Sequence, residues 1–247
     1  MLRILDLFSG IGGFSLGLER TGYFRTIAFC EINEKARQVL KKHWPQVPIF
    51  EDVKKLRGEE VGQVDMICAG FPCQDISLAG RGAGLTGERS GLFYEIIRLA
   101  KEFIEAGSPP EYIILENVSA LRSRGLEEVL RSFTEIGYDA QWHCIPASAV
   151  GAPHRRDRIW IIAYPTGTRL QVRLEAALGT PGNQKLKRQD RFGRQWWSTE
   201  PAVARVAHGL SGRMDRIKQL GNAVVPQIPE LIGTAVITRH FQSVSGV

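Results

Sequence analysis

The sequence has few cysteines and no long apolar run, and each absence excludes a class of protein. Four of its 247 residues are cysteine, and none of them forms a C-x-x-C pair, which argues against a metal site or a disulfide framework. Cys30, Cys68 and Cys144 lie in apolar strand-like runs, where we expect small buried side chains. Because no run of about 18 apolar residues and no export signal occur, we expect a cytoplasmic protein without a membrane span.

The positive charge of the sequence is concentrated in one segment. The formal net charge is +6 and the isoelectric point is about 9.3. Between residues 165 and 195, seven basic residues stand against two acidic ones, so +5 of the charge lies there. The basic residues are Arg169, Arg173, Lys185, Lys187, Arg188, Arg191 and Arg194. Because basic surface attracts polyanions, this segment predicts a polyanionic partner.

Strand-like and helical patterns alternate along the chain. Strands are predicted over residues 3–7, 25–31, 47–50, 64–69, 112–115, 139–145 and 158–164. Helices are predicted over residues 14–21, 92–106, 126–136 and 226–241, with a further helix that begins at Asn33 and ends before Pro45. The alternation predicts an α/β domain with a mostly parallel sheet. We expect a main domain at residues 1–164, a short basic segment at 165–212, and a segment at 213–247 that returns to the main domain.

The ends of the first three strands predict a nucleoside pocket. A glycine turn follows the first strand, and the next two strands end in the acids Glu31 and Asp52. The Glu31 carboxylate can accept hydrogen bonds from both ribose hydroxyls, and Asp52 can accept one from an adenine amino group. The turn is not the dinucleotide fingerprint, because Ser15 stands where its third glycine would be. The glycines of the turn are Gly10, Gly12 and Gly13.

Two reactive residue types follow neighbouring strands. Cys73 stands in a turn marked by Gly70 and Pro72, after a short apolar run, and Glu116 follows the next strand. Because the carboxyl ends of parallel strands meet at one edge of a sheet, we expect a nucleophile and an acid to lie together there. Burial would raise the pKa of Glu116 and equip it to donate a proton. The alternatives are a turn cysteine without a role and an ordinary surface acid.

Four motifs in this order resemble those of the C5-cytosine methyltransferases, most of all the small bacterial or phage-type DNA enzymes. DLFSGIGGF at residues 6–14 is similar to the cofactor loop of that family and GFPCQ at 70–74 to its nucleophile motif. ENV at 116–118 resembles its acid motif and QLGNAVVP at 219–226 its C-terminal motif. The resemblance implies a Rossmann-like class I methyltransferase fold: a mixed, mostly parallel sheet with helices on both faces, plus a very small recognition segment.

The resemblance also implies a cofactor, S-adenosyl-L-methionine, with S-adenosyl-L-homocysteine as its product. In the family pattern, Phe8 and the glycine loop surround the methionine and adenine parts, Glu31 binds the ribose, and Asp52 lies at the adenine. The residues implied to bind the cofactor are Asp6, Phe8, Ser9, Gly10, Gly12, Gly13, Glu31, Ile32, Asp52, Val53, Pro72, Leu92, Asn222 and Ala223.

The implied reaction begins when Cys73 adds to C6 of cytosine while Glu116 protonates or hydrogen-bonds N3. C5 then accepts the methyl group, and a base removes its proton. Arg156 would support the acid, and Arg158 would lie beside Glu116 and the cytosine carbonyl. Because C6 is inaccessible inside a duplex, the base would be flipped out of double-stranded DNA. The residues expected to contact the DNA are Ser77, Arg89, Arg155, Lys185, Lys187 and Arg188.

The sequence departs from the family pattern at three points, one of which is that residues 205–216 only loosely fill the place of the family's arginine-containing motif. His154 stands where glutamine is usual, and a short segment at residues 165–198 stands where a long recognition domain is usual. We expect a monomer that acts on duplex DNA, with a cognate restriction endonuclease as a candidate partner. The alternatives are the same chemistry on transfer RNA and a non-catalytic DNA-binding relative. The basic turn with His154, Arg155, Arg156 and Arg158 is either a charged turn alone or a phosphate and substrate contact.

Overall fold

A seven-stranded sheet lies at the centre of the structure, a computed structural model that describes residues 1–72, 91–168 and 223–244. Its order is β3-β2-β1-β4-β5-β7-β6. Strands β1 to β5 are parallel, whereas β7 is antiparallel to both of its neighbours, β5 and β6. The predicted mixed, mostly parallel sheet is therefore confirmed. The strands are β1 (Leu2–Leu7), β2 (Phe24–Cys30), β3 (Ile49–Phe50), β4 (Met66–Ala69), β5 (Tyr112–Val118), β6 (Tyr138–Pro146) and β7 (Asp157–Pro165).

Helices connect most of the strands, and the helices that were predicted begin and end within three residues of their expected bounds. The second helix begins at the predicted cap, because the Asn33 side chain accepts a hydrogen bond from the backbone N–H of Ala36 at 3.1 Å. The sequence patterns missed α3, α5 and a 3₁₀ turn at Ala147–Val150, which are too short for a periodic signal. The helices are α1 (Gly13–Glu19), α2 (Glu34–His43), α3 (Gly58–Val61), α4 (Gly91–Glu105), α5 (Leu121–Arg124), α6 (Leu126–Glu135) and α7 (Gln227–Val244).

Apolar side chains form a core on each face of the sheet. Alternate residues of β1 face opposite cores, so Leu5 belongs to the core under α4 and α6, and Ile4 to the core under α1 and α7. In β4, Ile67 and Cys68 alternate in the same way. Strands covered on both faces are apolar at nearly every position, which explains the continuous apolar runs in the sequence.

Strand β6 lies at the edge of the sheet, and this position corrects one expectation. We expected Cys144 to be a small buried side chain, but it is exposed, as is Trp142 two residues before it on the same face. Edge strands keep part of one face in contact with solvent, so an apolar run is not evidence of burial there. Cys30 and Cys68, in β2 and β4, are buried as predicted.

The last helix packs on the first. An ideal Cβ at Gly17 would lie 2.1 Å from the carbonyl oxygen of Pro226, and one at Gly13 would lie 2.5 Å from that of Val224. Only glycine permits the backbone of residues 224–226 to come this close to α1. The segment before α7 is thus held against the glycine turn at the end of β1.

None of the helices in the described ranges is long and apolar enough to cross a membrane.

We predict that Gly17→Ala destabilises the protein by about 1–3 kcal/mol, because the added methyl group overlaps Pro226 and forces the two segments apart. A helical alanine is otherwise more stable than glycine, so the sign of the effect identifies the contact. Chemical denaturation measures the difference. Gly91→Ala is the matched control, since a Cβ at Gly91 meets no atom within 4 Å. Equal stability of Gly17→Ala and the wild type would disprove the close contact.

Candidate active site

A cavity of about 250 Å³ opens at the carboxyl edge of the sheet, above the ends of β1, β2, β4 and β5. Ligands of open α/β sheets bind at this edge, where the strand order reverses direction. Seven of the residues that the resemblance assigned to a cofactor line the cavity, and so does Glu116. These seven are Phe8, Ser9, Gly10, Glu31, Ile32, Pro72 and Ala223.

Two backbone amides fix the Glu31 carboxylate in the cavity wall. One carboxylate oxygen accepts a hydrogen bond from the N–H of Gly10 at 2.7 Å, and the other accepts one from the N–H of Asn33, also at 2.7 Å. Each carboxylate oxygen has a further lone pair available. The side chain is therefore positioned to accept hydrogen bonds from two adjacent hydroxyl groups of a ligand.

Apolar side chains form the neighbouring walls. Phe8 has a φ of 53°, a conformation that is costly for a residue with a side chain and that is common at functional sites. Ile32 is 77% exposed, although it is a large apolar residue. Ile32 and Phe8 both line the cavity, so a flat apolar ring bound there would cover them.

Three residues of the first motif support the cavity without lining it. Asp6 is fully buried and accepts a hydrogen bond from the Ser15 hydroxyl at 2.7 Å. Gly12 has a φ of 84°, and a Cβ there would lie 2.6 Å from the ring of Trp44. Gly13 is confined by Val224. The structure thus gives these residues packing roles.

The predicted adenine side of the pocket also lies outside the cavity lining. The Asp52 carboxylate accepts a hydrogen bond from the N–H of Lys54, and Val53 is buried in the core. Leu92, in the first turn of α4, packs against the same core. The remaining assigned residue, Asn222, lies outside the described residues.

Glu116 combines burial with an ion pair. Its carboxylate lies 3.0 Å from the Nε of Arg158, and the residue is 9% exposed. Burial raises the pKa of Glu116 above its ordinary value, although the charges of Arg158 and Arg156 act in the opposite direction. The expectation from sequence placed Glu116 after its strand. It instead lies within β5, paired with Trp160 of β7, because hydrogen bonding to β7 extends the strand to Val118.

The basic turn before β7 divides into an inner and an outer part. The guanidinium of Arg156 donates a hydrogen bond to the carbonyl of Ala223 at 3.0 Å, and its φ of 35° is strained. Arg156 thereby connects the acid site to the segment before α7. The side chain of Arg155 is 86% exposed and lies 3.7 Å from Asp157. His154 is exposed as well.

Asn117 is a site residue that the sequence patterns did not identify. It is 3% exposed, and its side-chain amide donates a hydrogen bond to the carbonyl of Phe71 at 3.0 Å. This bond ties β5 to the backbone two residues before Cys73. The only signal in the sequence was its position directly after Glu116. Other cavity residues that were not expected are Ile11, Phe14, Asn33, Ala36, Gly70 and Val224.

Several predicted site residues lie outside the residues that the structure describes. Cys73 and the expected DNA contacts other than Arg155 lie outside the described residues. Their roles therefore stay predictions. In the described ranges, no three histidine, cysteine, aspartate or glutamate side chains are grouped so that they could hold a metal ion. The predicted site residues outside these ranges are Cys73, Ser77, Arg89, Lys185, Lys187 and Arg188.

The chain is similar to known methyltransferases. The family model described as C-5 cytosine-specific DNA methylase matches residues 2–200. The type II methyltransferase M2.BsuMI of Bacillus subtilis is 37% identical over 166 residues, which are 66% of this chain and 42% of that protein. The type II methyltransferase M.CviJI of Paramecium bursaria Chlorella virus IL3A is 38% identical over 163 residues, 65% of this chain and 42% of that protein. The chain thus spans less than half the length of either relative.

A solved structure shows the same fold. A mutant of DNMT2 from Spodoptera frugiperda superposes with a TM-score of 0.56 at 24% identity. The match covers 68% of this chain and 51% of that one. At this level of identity the likeness concerns the fold alone, and it agrees with the Rossmann-like architecture predicted from the sequence.

Asp6 predicts a pH dependence of stability. Burial raises its pKa to about 8, while the hydrogen bond from Ser15 acts in the opposite direction. Because the folded-state pKa exceeds the unfolded value, the folded state binds the extra proton, and this contribution to stability is lost as the pH rises towards 8. Between the ordinary pKa of 3.8 and the folded-state pKa of about 8, we expect the free energy of unfolding to fall by up to roughly 1.4 kcal/mol per pH unit.

Asp6→Asn removes the titrating group and keeps its shape, so the variant should show a flatter profile in denaturant unfolding between about pH 5 and about pH 9. Asp139→Asn, at an exposed position of β6, is the control and should follow the wild type. Parallel profiles for Asp6→Asn and the wild type would contradict a buried, protonated Asp6.

Proposed function

Because the chain belongs to the family of C-5 cytosine-specific DNA methylases, we propose that it transfers a methyl group from S-adenosylmethionine to C5 of cytosine in double-stranded DNA. One observation carries the proposal. Glu116, buried and paired with Arg158, lines the same cavity as Gly70 and Pro72, which lie three residues and one residue before Cys73 in the chain. An acid and a nucleophile would thus act beside a cofactor cavity.

The residues around the cavity fit S-adenosylmethionine, the methyl donor of this family. Glu31, held by two amides, suits the two hydroxyls of a ribose, and Phe8 and Ile32 suit the apolar faces of a nucleoside. When bound, the cofactor supplies an electrophilic methyl group on a sulfonium. The role of the protein is to orient that methyl group towards C5 and to exclude water from it. S-adenosylhomocysteine is the expected product.

C5 of cytosine is a poor nucleophile, and Cys73 is proposed to activate it. The thiolate forms a bond to C6 while Glu116 protonates or hydrogen-bonds N3, so that electron density moves to C5. After C5 has taken the methyl group, a base removes the C5 proton. The electrons of that C–H bond restore the ring double bond, and the C6–S bond breaks to release Cys73.

The surroundings of Glu116 suit this role in both protonation states. Burial favours the neutral acid, which donates a proton to N3, and Arg158 stabilises the carboxylate that remains. Asn117 fixes the backbone of Phe71, two residues before Cys73, relative to β5, and this bond supports a nucleophile held near the acid. Such positioning lowers the entropic cost of reaching the reactive geometry.

The target base must leave the helix to reach this site, because C6 is covered inside a duplex. We propose that the chain acts as a monomer on DNA in the cytoplasm. The relatives are named type II methyltransferases, so a cognate restriction endonuclease is the proposed partner. The division into a catalytic domain at residues 1–164, a recognition segment at 165–212 and a returning segment at 213–247 remains part of the proposal.

Cofactor binding is tested at Glu31. Glu31→Gln places an amide N–H against a backbone N–H donor, and we expect it to weaken the binding of S-adenosylmethionine and S-adenosylhomocysteine about 10- to 100-fold, the effect of losing a charged hydrogen bond. Isothermal titration measures the affinity. Glu34→Gln, an exposed neighbour in the first turn of α2, makes the same charge change and should bind normally. Equal affinities for the two variants would rule out Glu31 as the ribose ligand.

The chemistry is tested at Cys73 and Glu116. Cys73→Ala should transfer no methyl group yet bind S-adenosylhomocysteine, and Glu116→Gln should lower turnover about 10²- to 10⁴-fold, as expected for a lost general acid. Wild-type protein should form a covalent adduct with duplex DNA that carries 5-fluorocytosine, because fluorine cannot leave as a proton does.

Parallel methyl-transfer assays on duplex DNA and transfer RNA decide the substrate. Turnover by Cys73→Ala would refute the assigned nucleophile, the absence of any adduct would refute addition to C6, and methylation of transfer RNA alone would replace DNA as the substrate.

A further inference from the structure

Helix α5 presents two arginines at the edge of the sheet that carries the candidate active site. The helix begins three residues after Val118, the last residue of β5, and both Arg122 and Arg124 are exposed. Val118 pairs with Arg158 of β7, whose side chain contacts Glu116. The strand that supplies the acid therefore leads directly into α5.

Among the residues that the structure describes, these two arginines differ from most others because they form no ion pair. Within the described ranges, eight arginines form ion pairs with carboxylates, among them Arg3 with Asp65 and Arg37 with Glu51. The side chains of Arg122 and Arg124 form no ion pair or hydrogen bond with a described residue. Two arginines without an ion-pair partner in the described ranges thus lie on one turn of helix.

The position of Arg122 and Arg124 distinguishes them from other exposed arginines. Arg25 also has no ion pair among the described residues, but it lies at the start of β2, at the opposite edge of the sheet. On the active-site edge, Arg155 adds a third guanidinium, and its side chain is 86% exposed. Positive charge at that edge is therefore concentrated around the end of β5 and the start of β7.

We propose that Arg122 and Arg124 contact backbone phosphates of the DNA duplex beside the flipped cytosine. The inference rests on the proposed function and assigns a substrate-binding surface, the α5 arginines, to residues outside the four sequence motifs. A guanidinium binds two phosphate oxygens at once, and an arginine without an internal carboxylate does so without first breaking an ion pair. Phosphate contacts hold the backbone in register while one base leaves the stack.

The test is the salt dependence of duplex binding. Removal of one phosphate-binding charge lowers the slope of log K against log salt concentration by about 0.9, so Arg122→Gln/Arg124→Gln should lower it by close to 1.8. Lys41→Gln/Lys42→Gln is the matched control, since it removes two exposed positive charges from the last turn of α2, at the opposite edge. The control should keep the wild-type slope, and Arg122→Lys/Arg124→Lys should restore most of it because the charge is kept.

The outcomes distinguish this proposal from the proposed function. A wild type that methylates duplex DNA, together with an unchanged slope in Arg122→Gln/Arg124→Gln, refutes the α5 arginines as a phosphate-binding surface and leaves the function intact. A wild type that neither binds nor methylates duplex DNA refutes the proposed function itself. Titration of S-adenosylhomocysteine on each variant reports folding independently, and normal cofactor binding with a reduced slope supports the surface.

Discussion

The contact between Glu116 and Arg158 depends on β7, which runs against both of its neighbours in the sheet. Strand β7 is antiparallel to β5, so its first residues lie at the edge where β5 ends. A parallel β7 would begin at the other edge, and Arg158 would be far from the acid. The buried carboxylate would then have no nearby Arg158 charge to stabilise its ionised form. The reversed strand thus supplies part of the chemical environment of the acid and also pairs with the edge strand β6.

The opposite wall of the site depends on glycine rather than on charge. Gly13 and Gly17 let residues 224–226 approach α1 to a distance that no larger residue permits, and Arg156 holds the Ala223 carbonyl from the other side. One segment is therefore fixed by a steric contact and a hydrogen bond that come from residues far apart in the chain. Its position relative to Glu31 is set by the fold and not by a local motif.

The sequence predicted the sheet and the polar strand ends because both follow from local patterns. Glu31 and Glu116 could be placed at one edge from the ends of apolar runs alone. Three results needed the tertiary structure. The exposure of Cys144 follows from the position of its strand at the edge of the sheet. The hydrogen bond from Asn117 to Phe71 joins residues far apart in the chain. The position of Asp52 outside the cavity lining depends on the turn after β3. Periodicity carries no information on contacts of this kind.

The position of Ala223 and Val224 in the chain has a consequence for biosynthesis. All seven strands found in the described ranges lie before residue 166, so during translation these strands can pair before the two wall residues leave the ribosome. Until then the glycine face of α1 is uncovered and the cavity lacks one side. A nascent chain stalled between these points would have its sheet complete and its cavity open on the side of residues 223 and 224.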